Sequence, residues 1–299
     1  MTLAKLSSPC RLCAHKCGVN RRKGEKGLCL AGSKPAVYSV SPHHGEEPPL
    51  SGKSGSGTIF FTHCNLKCAY CQNYTFSRES DLLEMTVEEL AQKILELEKL
   101  GCHNINFVSP THYAPQMAES LQVARKSLKI PVVYNTGGYD TIELIKALEG
   151  IVDIYMPDMR YSQNTMAEKY SSAPGYVENN RLIIKEMWRQ AGPLKLDKEG
   201  IAEKGMLIRL LILPGNASGT IETLKFLKEE VSSEIYLSVM SQYHPTYKAM
   251  DHPEIARRIT PKEYDEVTKA IEDLGFMNGW IQGYHAAPDH FLGTDIQPA

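Results

Sequence analysis

The run Thr58-Ile59-Phe60-Phe61-Thr62-His63-Cys64-Asn65-Leu66-Lys67-Cys68-Ala69-Tyr70-Cys71 decides how this 299-residue chain is read. A β-rich apolar stretch turns at once into three cysteines spaced C-x3-C-x2-C. Thiolates on so short a loop can meet at one soft metal centre. A 4Fe–4S cube has four irons, so three cysteines leave one iron open to a ligand from outside the protein. An open iron at the end of a strand is a place for chemistry. The competing reading, a zinc knuckle with His63 as fourth ligand, is disfavoured because adjacent residues seldom both face one ion.

Outward from this run the chain alternates short β-rich stretches with helical periods. Strands are expected at 58–62, 104–108, 132–135, 151–156, 206–213 and 235–240, and helices at 86–100, 115–128, 141–148, 176–190, 220–231 and 261–274. Thr86 with Glu89, and Thr260 with Pro261 and Glu263, are helix-start signals, and Leu90, Ile94, Leu97 and Leu100 recur at helical spacing. Six strand–helix units imply a parallel sheet with right-handed crossovers, and both an open sheet and a partial barrel fit that order. In either, functional groups gather past the C-terminal ends of the strands. The polar runs Ser109 to Tyr113, Asn135-Thr136, Asp158, Pro214-Gly215-Asn216 and Gln242-Tyr243-His244 fall there.

The first 57 residues read differently. Cys10, Cys13, Cys17 and Cys29 give C-x2-C-x3-C-x11-C among turn glycines and basic residues, followed by Pro42, Pro48, Pro49 and a Gly/Ser-rich run. Four thiolates saturate either a tetrahedral zinc ion or an auxiliary 4Fe–4S cluster able to relay electrons. We therefore expect residues 1–57 to form a four-cysteine metal-binding lobe with its linker, and 58–299 the core with a C-terminal extension. The polar stretch 193–205 reads as a solvated loop. Cys102, alone, reads as a small, semi-buried hydrophobe.

Bulk properties exclude several classes. A net charge of −2 without a basic block argues against nucleic-acid binding and against a membrane surface. No apolar run is long enough to cross a bilayer and no signal peptide is read at the N-terminus, so a cytoplasmic location is expected. Clustered cysteines in such a chain read as ligands rather than disulfides.

The C-x3-C-x2-C run, with Tyr70 before its last cysteine, resembles the signature of the radical S-adenosylmethionine superfamily. The resemblance implies that Cys64, Cys68 and Cys71 hold a 4Fe–4S cluster whose fourth iron is chelated by S-adenosylmethionine. It further implies reductive cleavage to a 5′-deoxyadenosyl radical, with the protein supplying binding and orientation. Asn135-Thr136-Gly137-Gly138 and Met156-Pro157-Asp158-Met159-Arg160 resemble strand-end motifs of pyruvate formate-lyase activating enzyme. There they imply a monovalent-cation site beside the cofactor, formed by Asn135, Thr136, the Met156 backbone and Asp158. Arg209 within an apolar run ending Pro214-Gly215, and Tyr243-His244, resemble that branch's later cofactor-facing strand ends; for Arg209 a structural salt bridge to a strand neighbour is the competing account. One departure stands out: Val108-Ser109-Pro110-Thr111-His112-Tyr113 replaces the superfamily's Gly-Gly-Glu, so Ser109 and Thr111 would meet the methionine amine. This form is similar to that of a subgroup of activating-enzyme homologues, the PflX-like group.

The expected fold is α/β, a partial (β/α)6 TIM-like barrel with a small N-terminal Cys-rich metal-binding lobe. The expected cofactor-binding residues are Ser109, Thr111, Asn135, Thr136, Asp158, Arg209 and His244, and His112, Tyr113, Tyr139 and Arg160 are candidates to face a substrate. No catalytic residue is assigned. The expected activity is that of a radical oxidoreductase installing a glycyl radical on a partner protein. Radical modification of a small molecule or another protein is the second reading, and a zinc protein that grips nucleic acid the third. An electron donor such as flavodoxin or ferredoxin is the implied partner. The aromatic tail 279–285 either folds across the barrel mouth or packs on the surface.

Overall fold

The computed structural model describes residues 2–78 and 83–284. Seven parallel strands run in chain order across the sheet: Ser56–Phe61, Ile105–Val108, Val132–Thr136, Ile154–Pro157, Ala202–Leu211, Tyr236–Met240 and Gly279–Ile281. Helices fill the crossovers, among them Val87–Lys99, Ala114–Ala124, Tyr176–Ala191, Thr220–Glu230 and Pro261–Asp273. The six strand–helix units read from periodicity are present, and the sheet curls as a partial barrel. Thr86 and Thr260 each form a full capping box with Glu89 and Glu263, so local chemistry sets where those helices begin.

Side-chain alternation separates two apolar layers. Tyr134, Tyr155, Ile208 and Leu210 point outward and pack with Ile94, Met117, Ile183 and Leu224 of the helices. Val133, Ile154, Met156 and Leu207 point inward and, with Leu50, fill the lower end of the barrel. Among the described residues no helix is long and apolar enough to cross a membrane.

Three elements differ from expectation. Residues Ala36–His43, placed in a Pro-rich connection, form a strand antiparallel to Ser56–Phe61. Its hydrogen bonding is satisfied on a sheet margin, where Pro42 is tolerated. The stretch 193–205 is a β-hairpin, with Lys195–Leu196 pairing back on Ala202–Leu211, rather than a solvated loop. The tail contributes strand Gly279–Ile281, which extends the barrel; His285 lies outside the described residues. Cys102 is fully buried rather than semi-buried.

Candidate functional site

The loop of Cys64, Cys68 and Cys71 leaves the C-terminal end of strand Ser56–Phe61. It is pinned by the Lys67 amide to the Ser171 carbonyl (2.9 Å) and by the Ala69 amide to the Tyr170 carbonyl (2.7 Å), both at the end of helix Asn164–Ser171. Leu66, Cys68 and Tyr70 face inward into a layer of Tyr139, Tyr161, Tyr176 and Tyr243. Cys64 and Cys71 are half-buried. His63, immediately before the loop, takes the left-handed backbone region (φ 66°), the strained turn that lifts the chain off the strand.

Each sulfur has at least one polar neighbour, and Cys64 Sγ also donates to Asn65 Oδ1 (3.8 Å). The Leu66 amide donates to Cys64 Sγ (3.4 Å), Ser171 Oγ donates to Cys68 Sγ (3.1 Å), and Ser77 Oγ lies 3.4 Å from Cys71 Sγ. Hydrogen bonds to cluster sulfurs are a main lever on iron–sulfur sites, so this donor set fits thiolates that carry iron. Burial, then the neighbouring Cys68 and Cys64 thiols, push the Cys71 thiol up to about 11, as for a group that ionises only on binding metal.

Beside the loop, Gln72 and Asn73 enter the wall of a cavity of about 360 Å³ inside the barrel mouth. This is within the size range of cofactor sites. Ser109, Asn135, Asp158, Arg160 and Arg209 also line it, together with Gln242, Trp280 and Gln282. A larger groove of about 780 Å³ among Leu3, Glu119, Arg125 and Asp153 contains none of these residues. The chemistry places the site in the smaller cavity.

Ser109 adopts φ 54°, the region that glycine enters freely. Gly138 is forced by close approach, since a Cβ there would come 2.3 Å from the Asp158 carbonyl oxygen. Asp158 pairs with Arg160. Burial works against the Arg160 charge, but Asp158, Cys68 and Tyr70 outweigh it and hold the guanidinium well above its ordinary value.

Six of the sequence expectations need correction. Thr136 points outward, donating to Asp140 Oδ2 (2.5 Å), and Thr111 Oγ1 lies 3.3 Å from Thr136 Oγ1. With Tyr134, which donates to Asp140 Oδ1 (2.7 Å), they form a buried network outside the cavity wall. His112 is buried, with Nε2 2.8 Å from the Thr62 carbonyl oxygen, and burial pushes its pKa down to about 3. Tyr113 is buried against Phe61. Tyr139 donates to the Pro174 carbonyl (2.6 Å). These side chains face the protein interior rather than a substrate. His244 lies outside the cavity lining, and its Nδ1 has no partner among the described residues.

Arg209 does line the cavity, yet its anion partners are protein carboxylates. It donates from Nε to Glu47 Oε1 (2.6 Å), from Nη2 to Glu47 Oε2 (2.6 Å), and also to Glu46. Burial alone would raise the Glu47 carboxyl, but the Arg209 guanidinium outweighs it and holds the group below the carboxylate range. Glu46 also accepts from Asn106 Nδ2 (3.0 Å). Sequence reasoning missed Glu46 and Glu47. The available signal was a pair of adjacent acids directly ahead of Pro48-Pro49, within a segment leading into a wholly buried strand.

The radical SAM superfamily model matches residues 58–170. A protein of Methanocaldococcus jannaschii, "Uncharacterized protein MJ0674", is 33% identical over 277 residues, covering 88% of this chain and 73% of the relative. The fold is similar to that of Streptococcus suis SuiB bound to S-adenosylmethionine, with a TM-score of 0.52, 14% identity, and coverage of 76% of this chain and 51% of that one. It is also similar to the FeFe-hydrogenase maturase HydG of Carboxydothermus hydrogenoformans, with a TM-score of 0.52, 10% identity, and coverage of 78% and 54%. The chain spans about half the length of these two solved structures. It belongs to the radical SAM superfamily, whose members are enzymes.

Proposed function

We propose that Cys64, Cys68 and Cys71 ligate three irons of a 4Fe–4S cluster and that S-adenosylmethionine occupies the cavity beside them. The observation that carries this reading is the three-thiol loop at a parallel-strand end, each sulfur with a polar neighbour, opening on a cavity of cofactor size. When bound and reduced, the cluster supplies the electron that cleaves the sulfonium. The protein's own part is to bind and orient. Ser109 and Asn135 offer hydroxyl and amide groups to the methionine end, and Asp158 offers its carboxylate to that amine or to a monovalent cation. The Arg160 guanidinium, paired with Asp158, and the Arg209 guanidinium, paired with both Glu46 and Glu47, shape the wall.

We assign the chain to the PflX-like group of activating-enzyme homologues, acting as an oxidoreductase that installs a glycyl radical on a partner protein. The low-potential electron comes from a flavodoxin or ferredoxin. A second reading, radical modification of a small molecule, is favoured by the polar lining contributed by Glu46, Glu47, Gln242 and Gln282. The N-terminal cysteines form a second metal site, for zinc or a cluster. The test is anaerobic purification, iron and sulfide analysis, and incubation with S-adenosylmethionine and dithionite, which must yield 5′-deoxyadenosine. Absence of both iron and cleavage would sink the reading. A glycyl-radical EPR doublet on a candidate partner separates the activase from the small-molecule enzyme.

A further inference from the structure

Six tyrosines stand in the layer against the cysteine loop of the barrel mouth, and four of them are satisfied in the ordinary way. Tyr139 donates to the Pro174 carbonyl, Tyr176 to the Gly137 carbonyl (3.0 Å) and Tyr243 to the Ile255 carbonyl (2.6 Å). Tyr170 donates to Glu254 Oε1 (2.6 Å). Tyr70 and Tyr161 differ from these. Their hydroxyl oxygens lie 2.8 Å apart, Tyr161 Oη lies 2.6 Å from Ser171 Oγ, and Ser171 Oγ donates to Cys68 Sγ (3.1 Å). All four residues are buried. Three hydroxyls in a row thus lead to one cysteine sulfur, where their neighbours end on backbone carbonyls or a surface acid.

Proton counting fixes the direction of the row. A hydroxyl carries one proton to donate, and a thiolate on iron carries none. Ser171 therefore spends its proton on Cys68, Tyr161 donates to Ser171, and Tyr70 donates to Tyr161. Every O–H points toward the sulfur, and Tyr70 Oη is left with only lone pairs to offer. The group beside that end is the Arg160 guanidinium, whose charge acts on both Tyr70 and Cys68. Arg160 Nη2 is paired with Asp158, while its Nε is buried with no hydrogen-bond partner among the described residues. An unspent cationic donor thus stands on the accepting side of the row. Aligned hydrogen bonds polarise one another, so a cation at one end strengthens the bond at the other. Donors to a cluster sulfur favour the reduced state, which carries one more negative charge.

We propose that Tyr70, Tyr161 and Ser171 are positioning residues that carry the pull of Arg160 to Cys68 Sγ and so raise the reduction potential of the cluster assigned above, a reading on which this inference rests. In the step they serve, a donor of the flavodoxin or ferredoxin class loses one electron and the cluster gains it. No covalent bond forms or breaks, and the three hydroxyl protons stay on their oxygens. Because Arg160 also pairs with Asp158 on the cavity wall, the row ties the cavity to the sulfur of one iron ligand.

The test is the midpoint potential of the reconstituted full chain without S-adenosylmethionine, read by EPR in a redox titration, with iron and sulfide counted on each sample. Tyr161→Phe keeps the ring, leaves Ser171 on Cys68 and breaks the row behind it. It should make reduction about tenfold less favourable, a fall of about 59 mV for one electron, at unchanged iron content. Ser171→Ala should lower the midpoint at least as far. Arg160→Met should lower it further in the wild-type background than in Tyr161→Phe, because the row that transmits its charge is already cut there. Equal shifts in the two backgrounds would show a charge acting through space and overturn the inference. So would a Tyr161→Phe midpoint equal to that of the wild type, the result for a tyrosine that only packs. The unmutated sequence grown with 3-fluorotyrosine, whose hydroxyl is the stronger donor, needs no variant to fold. Its midpoint should rise, and an unmoved one overturns the inference. A chain that holds iron and cleaves S-adenosylmethionine with all midpoints equal keeps the proposed function and ends this inference, whereas a chain that holds no iron ends both.

Discussion

The two cysteine loops are made of the same ligand type and sit against one another, yet they differ in number and setting. The N-terminal loop offers four thiols, three of them buried, on a turn-rich segment braced by Arg21. The loop at the barrel mouth offers three, held by a helix end and a layer of tyrosines, and it opens on the cavity. A complete thiolate set leaves a metal centre no valence for a substrate, whereas an incomplete one leaves a vacancy where the cavity begins. On the proposed reading, the number of ligands separates a site that holds a metal from a site that reacts.

The largest expected effect breaks that comparison if it fails. Cys68→Ala should reduce 5′-deoxyadenosine formation by about a thousandfold or more, while Cys10→Ala, assayed with dithionite, should stay within about threefold. Equal losses would mean that both loops serve the same centre. Arg209→Met, which leaves both sets of cysteines in place, should lower stability in urea by about 3–5 kcal/mol by leaving Glu46 and Glu47 buried without a countercharge. Its iron content per folded chain should be unchanged. Gly27→Ala should displace Cys17 and lower metal loading of the N-terminal loop alone, read as total zinc and iron per chain while 5′-deoxyadenosine formation with dithionite is kept. Thr136→Val should cost about 1–3 kcal/mol by removing a donor from buried Asp140, without altering metal content. The smallest effect is a silence. With its pKa near 3, the His112 ring is neutral from about pH 5 upward, so its NMR shifts should not titrate between about pH 5 and 9. A midpoint in that range would show the ring reaching solvent.

Much of the barrel was legible because its signals are local. Capping boxes fixed two helix starts, and apolar runs marked six strands. What escaped lacked such signals. Strand Gly279–Ile281 has three residues, helix Asn164–Ser171 has no side-chain N-cap bond, and Ala36–His43 carries a proline near its end. The rule that function gathers past strand ends pointed to Ser109, Asn135, Asp158 and Arg160, which line the cavity. It could not separate neighbours. Asn135 and Thr136 are consecutive on a strand, so only one of them can face the lumen, and the period of two assigns Thr136 to the outer layer. His112 and Tyr113 continue into a helix that turns them inward, which no linear spacing reveals. Glu46 and Glu47 reach the lumen from a segment ahead of the first parallel strand, outside the region where strand-end reasoning looks.

The bond between those carboxylates and Arg209 spans more than half the chain, with partners 162 and 163 positions apart. It joins the segment before the first parallel strand to the fifth strand across the lumen of a sheet whose strand order does not close on itself. A curled sheet with two free margins has nothing in its ladder to fix its curvature. Here a buried ionic cross-tie does so, acting as a hoop around an open stave barrel. Because bulk salt screens buried charges weakly, the bore of the lumen should hold its width across ionic strengths that would loosen a surface clasp.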